Sequence, residues 1–148
     1  MSDELRLIGA ALVAAAITLA ATPVAMRVAL RTDFLDHPAG YKKHSRSTPY
    51  LGGLAVLCGF LGASLLFGDD LGTLWPILAI TCGLALLGTV DDRVGLGFAI
   101  RVSLVIGAAV GLYAADLGWS YFEFEPANLL LTLLFVLGVV NAFNLMDN

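Results

Sequence analysis

Two adjacent carboxylates, Asp91 and Asp92, end a long apolar run in LLGTVDDRVGLG, residues 86–97. Charge at the edge of a bilayer is costly unless it has a task. Neighbouring side chains on a helix point about 100° apart, so the pair does not chelate one ion symmetrically while helical. Two tasks follow: one carboxylate faces a metal or a nucleophile, the other a positioning partner such as Arg93 or Arg101. The plain alternative is an acidic turn that ends a helix. A second polar cluster is NAFNLMDN, residues 141–148, where Asn141, Asn144 and Asn148 share a helix face beside Asp147. Amides and a carboxylate at the end of an apolar helix suit a magnesium-bound pyrophosphate or a nucleotide base; amide hydrogen bonding between helices is the plain alternative. The third cluster is DHPAGYKKHSRSTPYLGG, residues 36–53, with Lys42, Lys43, His44, Ser45, Ser47 and Thr48 ahead of Pro49 and a glycine pair. Ammonium and hydroxyl groups before a helix N-terminus suit phosphate, and a basic loop that only sets membrane topology is the competing reading. A further acidic pair, Asp69-Asp70 in FGDDLG, reads as a solvated turn.

The elements that must position these groups are membrane helices. Of the 148 residues, 59% are hydrophobic and 14% charged, and the mean hydropathy is +0.88. Soluble domains carry roughly 25% charged residues, so the composition is that of an integral membrane protein, and the net charge of -4 argues against nucleic acid as a partner. Five apolar segments approach the ~20 residues a spanning helix needs: roughly 5–30, 51–68, 74–90, 98–115 and 127–145. Their apolar character is continuous rather than alternating, which predicts helices. Cys58 and Cys82 lie inside two of them and read as packed free thiols. The expected fold is an all-α, polytopic transmembrane bundle of about five spans, a single domain over residues 1–148. Every Lys and Arg except Arg6 falls in the first and third connections or beside them. The positive-inside rule therefore puts the N-terminus outside and the three polar clusters, with the C-terminus, on the cytoplasmic side. Converging there, they would form one site at the membrane surface.

The three clusters together resemble the motifs of the polyprenyl-phosphate N-acetylhexosamine-1-phosphate transferases. Members of that family carry a loop like D-x-P…K-x-H…T-P-x-x-G-G, matched by Asp36, Pro38, Lys42, His44, Thr48, Pro49, Gly52 and Gly53. They carry G-x-x-D-D after the third helix, matched by Gly88, Asp91 and Asp92, and N-A-x-N-L-x-D after the fifth, matched by Asn141, Ala142, Asn144, Leu145 and Asp147. Tyr41 stands where many members have arginine. The resemblance implies transfer of a sugar 1-phosphate from a UDP-N-acetylhexosamine to a polyprenyl phosphate such as undecaprenyl phosphate. UMP is released, in cell-envelope polysaccharide or peptidoglycan synthesis at a bacterial-type plasma membrane. It implies Asp91 and Asp92 as catalytic residues, and Lys42, Lys43, His44, Thr48, Asn141 and Asn144 as substrate-binding. It implies Asp91, Asp92 and Asp147 as ligands of magnesium or manganese. Members have about twice as many spans, so the chain reads as the N-terminal part of a larger transferase, inactive alone; a homo-oligomer stays open.

Three other readings compete. A CDP-alcohol phosphotransferase lacks support because its D-G-x-x-A-R signature is absent. A transporter is disfavoured because no acid lies in the middle of any span. A non-catalytic membrane scaffold remains the alternative to the enzyme.

Overall fold

The computed structural model describes residues 2–36 and 48–146. Among the described residues five helices form, one for each apolar segment: α1 (Asp3–Arg31), α2 (Gly52–Phe67), α3 (Leu71–Val94), α4 (Phe98–Ala114) and α5 (Glu125–Met146). The fold class is all-α as expected. A two-residue strand pair is the addition: β1 (Leu35–Asp36) runs antiparallel to β2 (Thr48–Pro49). Three helical stretches, Asp3–Arg31, Gly72–Val94 and Glu125–Asn144, are long and apolar enough to cross a membrane. The apolar α2 and α4 are shorter, with 16 and 17 residues. Large aliphatic side chains such as Leu12, Leu19, Leu66 and Leu86 lie exposed along the helices, the arrangement a hydrocarbon solvent requires and water penalises.

The chain divides into two compact units, residues 1–74 and 75–148. In the first, α1 packs on α2. Ser2 caps α1 by accepting from the Leu5 amide, Asp3 and Glu4 occupy its first turn, and Arg31 its last. That charge order complements the helix dipole. The helix continues through Pro23. The face α2 buries is made of Ala55, Gly59 and Ala63, spaced four apart. A Cβ placed on Gly59 would stand 2.5 Å from the Ala14 carbonyl oxygen, so the helices approach as closely as small residues allow. Cys58 lies on the exposed side of α2 and is not packed as expected; Cys82 is half-buried, and both thiols are free.

In the second unit α4 packs on α5, and the buried residues of the unit are Leu78 of α3, Val105 and Ala109 of α4, and Asn128 and Thr132 of α5, among the described residues. The third helix runs one turn further than its apolar residues indicate. It carries Asp91, Asp92 and Arg93 in helical conformation to Val94.

Candidate functional site

The extension of α3 places the acidic pair. Gly95 ends the helix with φ +66 and its amide donates to the Asp91 carbonyl at 2.7 Å. A left-handed residue just past a helix end is where glycine fits without strain. The chain then turns through Leu96 and Gly97, and Gly97 opens α4 by accepting from the Ile100 and Arg101 amides. Asp91 ties this turn together. Its Oδ1 accepts from the Leu96 amide at 2.8 Å, and its Oδ2 accepts from Arg101 Nη1 at 2.8 Å. The Asp91 side chain is 13% exposed and that of Arg101 30%. Arg101 Nε is buried with no hydrogen-bond partner among the described residues.

This pairing has an electrostatic cause. Carboxylates in the last turn of a helix oppose its dipole, and the Arg101 cation offsets that at Asp91. Asp92, one residue on, is exposed. The two adjacent acids thus differ in burial: Asp91, bonded to Arg101 and the Leu96 amide, is part-buried, and Asp92 is exposed. Arg101 is one of the two partners the sequence suggests. The part of Leu96 and Gly95 is not legible from residue types, although the G-L-G spacing after the pair is a turn signal.

Asn141 and Asn144 lie on α5, Asn141 half-buried and Asn144 exposed. The Asn141 amide nitrogen donates back to the Leu137 carbonyl at 2.8 Å. Asp147 and Asn148 lie outside the described residues, as do Lys42, Lys43 and His44. In the first unit Thr48 is described, in β2, with Asp36 as its register partner across the strand pair. Below it the Tyr50 amide donates to the Phe34 carbonyl at 3.3 Å, and the two rings lie 5.3 Å apart. Phe34 is buried and its amide donates to the Ala29 carbonyl at the end of α1. The two ends of the basic segment are therefore held side by side, on a stem anchored to α1.

The acidic pair Asp69-Asp70 is more than a solvated turn. Asp69 forms an ion pair with Arg6, a partner 63 positions away that local sequence reading does not find. Asp70 stands before α3, accepting from the Thr73 hydroxyl and from the Gly72 amide at 2.9 Å. Those two bonds, the hydroxyl first, hold its carboxyl below the ordinary value of 3.8. This is helix capping, for which aspartate is among the preferred residues.

The donors in the second unit suit a hard divalent cation in kind. Asp92 offers carboxylate oxygen, and Asn141 and Asn144 carry amide oxygen. Magnesium is commonly held by one or two carboxylates together with substrate phosphate oxygens rather than by an all-protein cage. No group of three His, Cys, Asp or Glu gathers among the described residues.

No family model matches the chain, and no solved structure matches it significantly. Curated proteins do. A probable undecaprenyl-phosphate N-acetylglucosaminyl 1-phosphate transferase of Bacillus subtilis is 30% identical over 161 aligned positions, covering 99% of this chain and 44% of the relative. The undecaprenyl-phosphate alpha-N-acetylglucosaminyl 1-phosphate transferase of Yersinia pestis is 31% identical over 134, covering 84% of the chain and 37% of the relative. The decaprenyl-phosphate N-acetylglucosaminephosphotransferase of Mycolicibacterium smegmatis is 30% identical over 164, covering 97% and 40%. The chain spans about two-fifths of the length of these relatives. With its long apolar helices, it is an integral membrane protein. The family resemblance carried by the three polar motifs is borne out: over nearly its whole length the chain is a homologue of the polyprenyl-phosphate N-acetylglucosaminyl 1-phosphate transferases.

Proposed function

We propose that this chain carries part of the site that transfers an N-acetylhexosamine 1-phosphate from a UDP-sugar to a polyprenyl phosphate. An oxygen of the lipid phosphate attacks the β-phosphorus of the UDP-sugar. The bond from that phosphorus to the bridging oxygen breaks, UMP leaves, and a lipid-linked sugar diphosphate remains. No covalent enzyme intermediate is required. The observation that carries the reading is the placement of the acidic pair at the end of α3, with Asp91 part-buried and bonded to Arg101 and Leu96 and Asp92 solvent-exposed, in a chain homologous to the transferases over nearly its whole length.

In this reading Asp91 is the positioning member, fixing the turn from α3 to α4. Asp92 faces the reacting phosphates. Asp92 and Asp147 would hold magnesium, which when bound neutralises phosphate charge and draws electron density from the leaving group. Asn141 and Asn144 orient the nucleotide end. Lys42, Lys43, His44 and Thr48 neutralise phosphate oxygens. The residues do little covalent chemistry; charge neutralisation and alignment supply most of the rate, as is general in phosphoryl transfer. The clusters lie on the cytoplasmic side, supported by the one-sided distribution of Lys and Arg, where a soluble UDP-sugar meets a membrane lipid.

The test is release of UMP by membranes from cells expressing the gene's full reading frame, supplied with polyprenyl phosphate, magnesium and a panel of UDP-sugars. Release that needs both the lipid phosphate and a UDP-N-acetylhexosamine supports the reading. Membranes that contain the protein and release no UMP above control favour a scaffold.

A further inference from the structure

The α4–α5 connection, residues 115–124, carries four aromatic side chains within six positions: Trp119, Tyr121, Phe122 and Phe124. They are 46%, 78%, 48% and 67% exposed. Such a display in water is unfavourable, because each aromatic carries a large apolar area. Yet the loop is not loose. Two buried polar residues of α5, Asn128 and Thr132, one helical turn apart, direct their hydrogen bonds to its backbone. The Asn128 side chain accepts from the Phe122 amide and donates to the Phe122 carbonyl, both at 2.8 Å. Thr132 Oγ1 accepts from the Trp119 amide at 2.9 Å and donates to the Asn128 carbonyl at 2.9 Å. At the loop's far end the Tyr113 hydroxyl bonds Glu125. The Trp119 ring also meets Phe135 edge-on at 5.7 Å. The backbone is thus clamped, with Tyr121 and Phe124 largely exposed and Trp119 and Phe122 about half exposed.

We propose that this loop is a pre-ordered membrane-interface anchor, whose aromatic side chains sit among the headgroups and upper acyl chains of a zwitterionic phospholipid leaflet. The proposal is independent of the reaction assigned above. Continuity with an apolar helix fixes the depth. The α5 helix begins at Glu125, directly after Phe124, and its 22 residues rise about 33 Å at 1.5 Å per residue. That matches the ~30 Å of bilayer hydrocarbon, so the residues just before α5 stand at a membrane–water boundary. Tryptophan and tyrosine favour that boundary because one part of the ring system is apolar and another hydrogen-bonds. Charge selects the lipid. Residues 115–125 carry Asp116, Glu123 and Glu125 and no Lys or Arg, so an anionic leaflet repels the loop and a zwitterionic one does not. Clamping by Asn128 and Thr132 means that the loop loses little further freedom on insertion.

The chain has two tryptophans, Trp75 and Trp119, so Trp75→Phe leaves Trp119 as the reporter. The full protein is reconstituted into phosphatidylcholine vesicles brominated either high on the acyl chain or near its methyl end. The expected result is emission shifted to the blue of aqueous tryptophan, with quenching stronger for the shallow bromines by about twofold or more, as an interfacial depth requires. If Trp75→Phe does not fold, subtracting the spectrum of Trp119→Phe from that of the native protein gives the same signal. Trp119 quenched by aqueous acrylamide and by neither bromine position overturns the proposal, because the loop is then in water. Trp119 shielded from acrylamide and from both bromine positions also overturns it, because protein then covers the loop.

Discussion

Replacing Asp91 and Arg101 singly and together measures whether the turn after α3 is held by their bond. Asp91 makes two hydrogen bonds, each 2.8 Å long, from a side chain only 13% exposed. A hydrogen bond to a charged group contributes about 1.5–3 kcal/mol and an ordinary one about 1 kcal/mol. Arg101 is 30% exposed, so solvent screening puts the ionic bond at the lower end, about 1.5 kcal/mol. Asp91→Ala removes both bonds, each made to its charged carboxylate, and should cost about 3 kcal/mol. Arg101→Leu removes one and should cost about 1.5 kcal/mol. The double variant should cost no more than Asp91→Ala, giving a coupling of about 1.5 kcal/mol. Asp91→Asn keeps an acceptor for the Leu96 amide and should fall between the native protein and Asp91→Ala. The assay is reversible unfolding in detergent, followed by circular dichroism. Additive single effects, with no coupling, refute the assignment of Asp91 as the residue that holds Arg101.

The remaining expectations concern the helix contacts and the Asp69-Asp70 pair. Gly59→Ala drives a Cβ against the Ala14 backbone oxygen and should destabilise by about 1–3 kcal/mol through overpacking. Gly62→Ala meets only the flexible end of Ile17 and should cost less in the same unfolding assay. Asp70→Ala removes the cap of α3 and should lower stability, whereas Asp70→Asn, which keeps an acceptor, should be milder. Because the Asp70 carboxyl is held below its ordinary value of 3.8, the cap's ionic contribution is present above that value. It is lost as pH falls through the lowered one, so the stability gap between native protein and Asp70→Asn should close only in that acid range.

The helices were legible because continuous apolar runs admit no other structure in lipid, and the five segments give five helices. What periodicity does not report is the last polar turn of α3: Asp91 to Val94 are helical because Gly95 can take a positive φ and Arg101 neutralises the terminus. The hydropathy pattern ends before those causes begin. The strand pair at Leu35–Asp36 and Thr48–Pro49 was hidden for a related reason, since two-residue strands have no period to read. Residue types singled out Asp91, Asp92, Asn141 and Asn144, but their unequal surroundings come from packing. The Arg6–Asp69 pair depends on contact between elements far apart in sequence, and Asp70 as a cap depends on Thr73, which a turn reading overlooks.

Asp92, the exposed member of the acidic pair, is the residue proposed to meet the reacting phosphates. UMP release from a UDP-N-acetylhexosamine, with polyprenyl phosphate as acceptor, is measured at matched expression in membranes for the native protein, Asp92→Asn and Asp69→Asn. Loss of a positioned charged group should reduce the Asp92→Asn rate on the order of 10² or more, with Asp69→Asn near the native rate because Asp69 serves an ion pair with Arg6. Equal losses in the two variants, or an Asp92→Asn protein that releases UMP at the native rate, would contradict that role.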